Sequence, residues 1–199
     1  MRKFILILLS IALTTCAPSH AESNFNYAIK IILKHEGGLV NNKYDTGEIS
    51  NFGISLRFLK HEKKDINQDG LIDAKDILIL TKDLASKIYL DDWWYRYHMD
   101  SINDKIIATK MFDISINMGY SQASKILHRA MLATTHPKCP VIIKRNFISH
   151  QDNLCINTLK SERFHAEINK QCADYYIMIV KRHPTYKVFL KGWLKRANW

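Results

Sequence analysis

The stretch His35-Glu36-Gly37-Gly38, followed by Asp45-Thr46-Gly47-Glu48-Ile49-Ser50-Asn51-Phe52-Gly53-Ile54, decides how the chain is read. Upstream of it, Phe25, Ala28, Ile29, Ile32 and Leu33 recur at the spacing of one helical face. Ser23 or Asn24 is the expected cap at the start of that helix. Gly37 and Gly38 provide the left-handed stop at its end. Glu36 therefore sits at the negative end of a helix dipole, where a carboxylate is disfavoured and its pKa is expected to rise. A purely structural preference would place Lys or His there. An acid in the wrong place for stability points to function. The segment after it, with Gly47, Gly53 and few helix formers, reads as a short hairpin over residues 39–54.

Working outward, residues 55–62 read as a short helix and 65–76 as a polar loop. A helix follows over 76–90, with Thr81 marking a break and a second N-cap. Trp93, Trp94, Tyr95 and Tyr97 crowd the next turn. Ile106, Ile107, Met111, Ile114 and Ile116 predict a buried helix over 103–117, stopped by Gly119. Further helical spacing covers 121–133, 141–151 and 156–182, and Pro184 breaks the last of these. Long strands, internal repeats and low-complexity segments are not apparent.

The chain has 199 residues, 47% hydrophobic and 24% charged. That is an ordinary globular balance and excludes wholesale disorder. Arg2 and Lys3, the apolar run from Phe4 to Ala12, and Ser19-His20-Ala21 read as a signal peptide cut after Ala21. Two alternatives remain open: an uncleaved anchor, for which the apolar run is short, and a lipoprotein anchored at Cys16 behind the loose motif Leu13-Thr14-Thr15. Removing Arg2 and Lys3 from 29 Lys and Arg leaves 27 against 19 Asp and Glu, a net +8. Such a charge suits an anionic partner, and a secreted chain makes nucleic acid a poor candidate. The expected location is secreted or periplasmic, with no stable membrane span in the mature chain.

Cys139, Cys155 and Cys172 remain after cleavage, enough for one disulfide and one free thiol. All three pairings are open. Cys139–Cys155 would close a loop of about 15 residues and stabilise by roughly 3 kcal/mol. No Cys or His spacing suggests zinc.

The loop from Asp65 to Asp76 places Asp65, Asn67, Asp69, Leu71, Asp73 and Asp76 at positions 1, 3, 5, 7, 9 and 12, with Gly70 at position 6. This is the oxygen spacing of a calcium loop, with Leu71 offering its carbonyl. Aspartate at the twelfth position matches dockerin-type loops rather than the usual glutamate. The alternative is a solvated acidic turn. The ion would be structural, and no cofactor is expected for catalysis.

With these residues in view, the chain resembles glycoside hydrolase family 108, the secreted and phage-type N-acetylmuramidases. Glu36-Gly37-Gly38, Asp45, Gly47, Asn51, Gly53 and Ile54 match that family's pattern. Leu39, Thr46, Glu48 and Ser50 depart from it. Ala85, Ile88, Tyr89 and Trp94, then Phe112-Asp113 with Asn117 and Gly119, extend the similarity. Near the C-terminus, Tyr175-Tyr176, Pro184 and Gly192-Trp193-Leu194-Lys195-Arg196 resemble a predicted peptidoglycan-binding region that follows in the family. Residues 134–160 do not match.

The resemblance implies a mainly α, lysozyme-like helical fold with a small β hairpin at the active-site cleft. It divides the chain into a leader (1–21), a muramidase domain (22–133) and a C-terminal wall-binding region (134–199). It implies cleavage of the β-1,4 bond between N-acetylmuramic acid and N-acetylglucosamine, with peptidoglycan as partner and a monomer as the working form. Glu36 is then the general acid, since glycoside cleavage needs a proton at the leaving oxygen. Asp45 is the first candidate for the second carboxylate, though an Asx-turn role serves it equally, and Glu48 is the weaker candidate. Ser50 is placed to position water or a sugar hydroxyl. Trp93 is a candidate to stack on a sugar ring, whereas Trp94 and Tyr89 read as core. Asp113 and Asn117 share a helix face. They read either as the cleft floor or as a buried pair fixing the loop after Gly38. The basic aromatic tail from Lys181 to Trp199 reads either as a grip on anionic glycan or as an ordinary packed helix. A lytic transglycosylase with the same acid, and a non-catalytic wall-binding protein, are the competing readings.

Overall fold

The computed structural model describes residues 20–41, 49–134 and 146–199. Residues 1–19 of the leader, Asp45 and Glu48 within 42–48, and Cys139 within 135–145 lie outside the described residues.

Helix α1 (His20–Glu36) buries Phe25, Ala28, Ile29 and Ile32, the face expected from their spacing. It begins earlier than the sequence suggests. Asn24 is not a cap but lies inside the helix, buried. Its Nδ2 donates to the carbonyls of Ile102 and Asn103, both at 3.2 Å. Tertiary partners thus take the amide that a cap would have used.

Strands β1 (Ser50–Asn51) and β2 (Ile54–Ser55) pair antiparallel, Ser50 opposite Ser55 and Asn51 opposite Ile54. Val40 adds a bridge to Ser50. Helix α2 (Leu56–His61) starts at once, with Ser55 Oγ accepting from the Phe58 amide at 3.2 Å. Helix α3 (Ala74–Leu78) is capped by Asp73 in a reciprocal box with Asp76. Thr81 does cap the next helix, α4 (Lys82–Tyr89), and the break foreseen there is real. Leu90–Tyr95 continue as a π-helical turn, which carries the aromatic cluster.

Helix α5 (Lys105–Met118) is the centre of the molecule. It is buried on nearly every side and packs on α1, on α6 (Tyr120–Thr134) and on α8 (Ser161–Arg182). Phe112 on α5 meets Phe25, Tyr89 and Trp94, mostly edge to face. Helix α7 (His150–Ile156) is capped by Ser149. Residues 146–149 are not helical, contrary to the helix expected over 141–151, because Ser149 and Asp152 form a capping box at that point. After Pro184 and a 3-10 turn comes α9 (Lys187–Ala197), which packs on α8. One buried core runs from Phe25 through Phe112 to Phe164, Cys172, Tyr176 and Ala197.

The architecture is mainly helical with a two-stranded sheet, as in lysozyme-like folds. Among the described residues no helix is long and apolar enough to cross a membrane. Cys155 is disulfide-bonded and Cys172 is a free buried thiol, which removes the pairings that use Cys172. Burial pushes the Cys172 thiol up to about 12.

Candidate active site

Glu36 is the last residue of α1, and Gly37 at φ +74° turns the chain away immediately after it. The side chain is 19% exposed, neither buried nor free in solvent. The hairpin lies directly against it. A Cβ on Gly53 would fall 2.8 Å from Glu36 Cγ and 2.5 Å from the Tyr89 hydroxyl, and Gly53 itself has φ +79°. Only glycine meets both demands. Tyr89 donates to the Phe52 carbonyl at 3.0 Å, and Asn51 Nδ2 donates to the Ile77 and Leu80 carbonyls. The Asn-x-Gly-Ile part of the motif therefore anchors the hairpin tip between α4 and the acid. Burial, with the Glu36 charge adding to it, pushes the Tyr89 phenol well above its ordinary value, so it stays a neutral donor.

The feature that the sequence did not reveal comes from the far end of the chain. Arg196 on α9 donates through Nη2 to Glu36 Oε1 at 2.7 Å. The same guanidinium grips Asp113 on α5, through Nε at 3.2 and 3.3 Å and Nη2 at 2.9 Å. Asp113 is 1% exposed and also accepts from Trp199 Nε1 at 3.2 Å and pairs with His35 Nδ1 at 3.1 Å. Lys110, one turn before Asp113, is itself fully buried, and its Nζ donates to the carbonyls of Arg196 and Ala197. It closes the C-terminal end of α9 and also lies under the Trp199 ring. Burial opposes the Arg196 charge, yet the Asp113 and Glu36 carboxylates outweigh it and raise its pKa further. Glu36 Oε2 takes no hydrogen bond from a described residue.

Among the described residues Asp113 and Asn117 bond to partners other than the loop after Gly38. Asp113 binds Arg196, Trp199 and His35, while the exposed Asn117 accepts from the Tyr176 hydroxyl at 2.6 Å. Ser50 is half-buried in β1, its backbone bonded to Val40. Trp93 is half-buried, stacked on Phe58 at 4.6 Å and tilted against Tyr89 at 5.2 Å. Trp94 and Tyr89 are fully buried, as core residues should be.

The acidic loop folds on itself. Gly70 N–H donates to Asp65 Oδ2, Asp69 N–H to Asn67, and Leu71 N–H to Asp69. Asp73 caps α3 by accepting from the Lys75 amide. Asp76 accepts from the amides of Ile66, Asn67 and Asp73, which together hold its carboxyl below the usual range against the opposing effect of burial. Among the described residues no three of His, Cys, Asp or Glu converge as a metal cluster. Asp65 Oδ1, however, is buried without a partner.

Arg196 was visible only as the last letter of a C-terminal motif. Nothing in its spacing ties it to a residue 160 positions away. Nor does any spacing tie His35 to Asp113, Trp199 to Asp113 or Lys110 to the end of α9.

The family model described as Glycosyl hydrolase 108 matches residues 29–119, the segment from α1 to the end of α5. A solved structure titled "Structure of Brucella abortus SagA" is similar in fold. Its TM-score is 0.67 at 21% identity, over 88% of this chain and 90% of that one. No curated protein matches the chain.

Proposed function

We propose that this chain, which carries a glycosyl hydrolase 108 domain over residues 29–119, is a peptidoglycan hydrolase that cleaves between N-acetylmuramic acid and N-acetylglucosamine. The observation that supports it is the state of Glu36: one oxygen fixed by Arg196, the other without a partner among the described residues, under a glycine turn that leaves no room for a side chain.

In this reading Glu36 is the general acid and delivers a proton from Oε2 while Oε1 accepts from Arg196. The proton passes to the glycosidic oxygen, the C1–O bond breaks, and its electron pair stays with the leaving sugar. Because Asp113 also binds Arg196, the guanidinium positions the acid without being devoted to it. Water then adds at C1 and gives up a proton. Asp45 is the residue proposed to receive it, and Ser50 to orient the water. Trp93 and Asn117 remain proposed contacts for the sugar chain. Work on the wall implies export, in keeping with the leader read in residues 1–21, and the chain is proposed to act as a monomer. Calcium in the 65–76 loop is proposed as a structural ion that takes no part in the reaction, on the strength of the orphaned Asp65 oxygen.

Digestion of purified sacculi, followed by mass analysis of the fragments, tests the reading. The wild type should release reducing muropeptides, and Glu36→Gln should be slower by about 10²–10⁴-fold. Fragments lighter by one water would identify a transglycosylase instead. No fragments from the wild type would leave a binding protein.

A further inference from the structure

A second concavity adjoins the acid. It lies between the end of α1, with Lys34 and His35, and the last turns of α9, with Lys195, Arg196 and Trp199, and encloses about 700 Å³. That volume suits a small ligand or a short peptide. Among the described residues no Asp or Glu lines it. Lys34 and Lys195 are exposed and have no ion pair among the described residues. Arg196 forms part of its wall while its Nη2 holds Glu36, so the groove starts one side chain from the acid. Lysines near helix C-termini ordinarily just complement the dipole. Here two of them, from helices far apart in sequence, face one groove beside a tryptophan with no acid among its described lining residues, and dipole complementarity does not require that convergence.

We infer that this groove binds the carboxylates of the peptide stem carried by the muramic acid next to the cleaved bond. The inference rests on the proposed hydrolysis of peptidoglycan. The N-acetylated sugar rings of that polymer are neutral. With a stem attached the lactyl carboxyl is a neutral amide, so negative charge this close to the scissile oxygen comes from the carboxylates of the peptide. A stem lying between Lys34 and Lys195 would gain charge-assisted hydrogen bonds and would set which sugar sits at Glu36. The enzyme would then favour strands that carry stems over bare strands.

The test compares glycan strands bearing peptide stems with the same strands stripped by an amidase and then capped as the lactyl amide, so that the stripped strands carry no carboxylate. In the wild type, kcat/KM should be about tenfold higher on stem-bearing strands. In Lys34→Ala/Lys195→Ala that ratio should fall close to one, through KM. A charge-matched control, Lys82→Ala/Lys125→Ala, removes exposed lysines elsewhere and should keep the wild-type ratio. An unchanged ratio in the groove variant overturns the proposal, even if its overall activity drops. So does an equal loss of the ratio in the control, which would mean only general attraction. Co-sedimentation of Glu36→Gln with both kinds of strand reads binding without chemistry. Tighter binding to stem-bearing strands that is lost with the lysines supports the groove even if the wild type proves inactive. Equal binding to both strands sinks it.

Discussion

Arg196 Nη2 stands 2.7 Å from Glu36 Oε1, joining α9 to the end of α1 across 160 positions of sequence. The acid expected at the end of the first helix is held by a guanidinium that Asp113 fixes in turn. The C-terminal helix is thereby part of the acid's own surroundings.

If Arg196 positions Glu36, Arg196→Met should lower kcat on sacculi by about 10²-fold with little change in KM, the scale of a misplaced catalytic group. Arg196→Lys should recover only part of this, because an ammonium cannot fork between two carboxylates. Asp113→Asn should cost about 3–5 kcal/mol in urea unfolding, since it breaks a buried ion pair. A kcat equal to wild type in Arg196→Met would remove the positioning role.

Gly53→Ala tests the close approach of hairpin and acid. The added Cβ meets the Tyr89 hydroxyl at 2.5 Å and Glu36 Cγ at 2.8 Å, at a φ of +79°. The left-handed backbone and the overpacking together should destabilise by about 2–4 kcal/mol. Activity should fall more than stability explains at a temperature where the variant remains folded. Thermal melts and sacculus clearing measure the two effects separately.

The Arg96–Glu62 pair predicts part of the acid limb of stability. Arg96 donates to both Glu62 oxygens at 2.9 and 2.7 Å, and this hydrogen bonding lowers the Glu62 pKa from 4.5 to about 2. Between those values the unfolded chain binds a proton that the folded chain refuses. The pair's contribution is therefore present above pH 4.5 and is lost as pH falls toward 2. Glu62→Gln should flatten the dependence of the urea midpoint on pH within that window. Arg96 is 41% exposed, so the effect should also shrink in high salt.

Calcium in the 65–76 loop is tested by melting the protein with the ion and with a chelator. A structural ion should raise Tm with calcium, and the gain should vanish in Asp65→Ala, which removes the orphaned oxygen. The same Tm in calcium and in chelator would show that the self-bonded loop needs no metal.

Local order was written into the chain. The α1 face, the glycine stop after Glu36, the Thr81 cap, the Gly119 end of α5 and the Pro184 break each rest on a few neighbouring residues, and each occurs where expected. One exception has a tertiary cause: Asn24 found carbonyl partners across the core and did not cap α1. Periodicity and capping act over one or two turns, so they can be read along a line of letters.

The surroundings of Glu36 could not be read in this way. Arg196, Asp113, Lys110, His35 and Trp199 meet because α9 packs on α8 and α8 on α5, which brings the last residues of the chain over the end of the first helix. Each pairing depends on the directions in which separate helices point, and no spacing in the sequence encodes that. The sequence singled out Glu36 as the candidate acid. The tertiary packing decided what holds it.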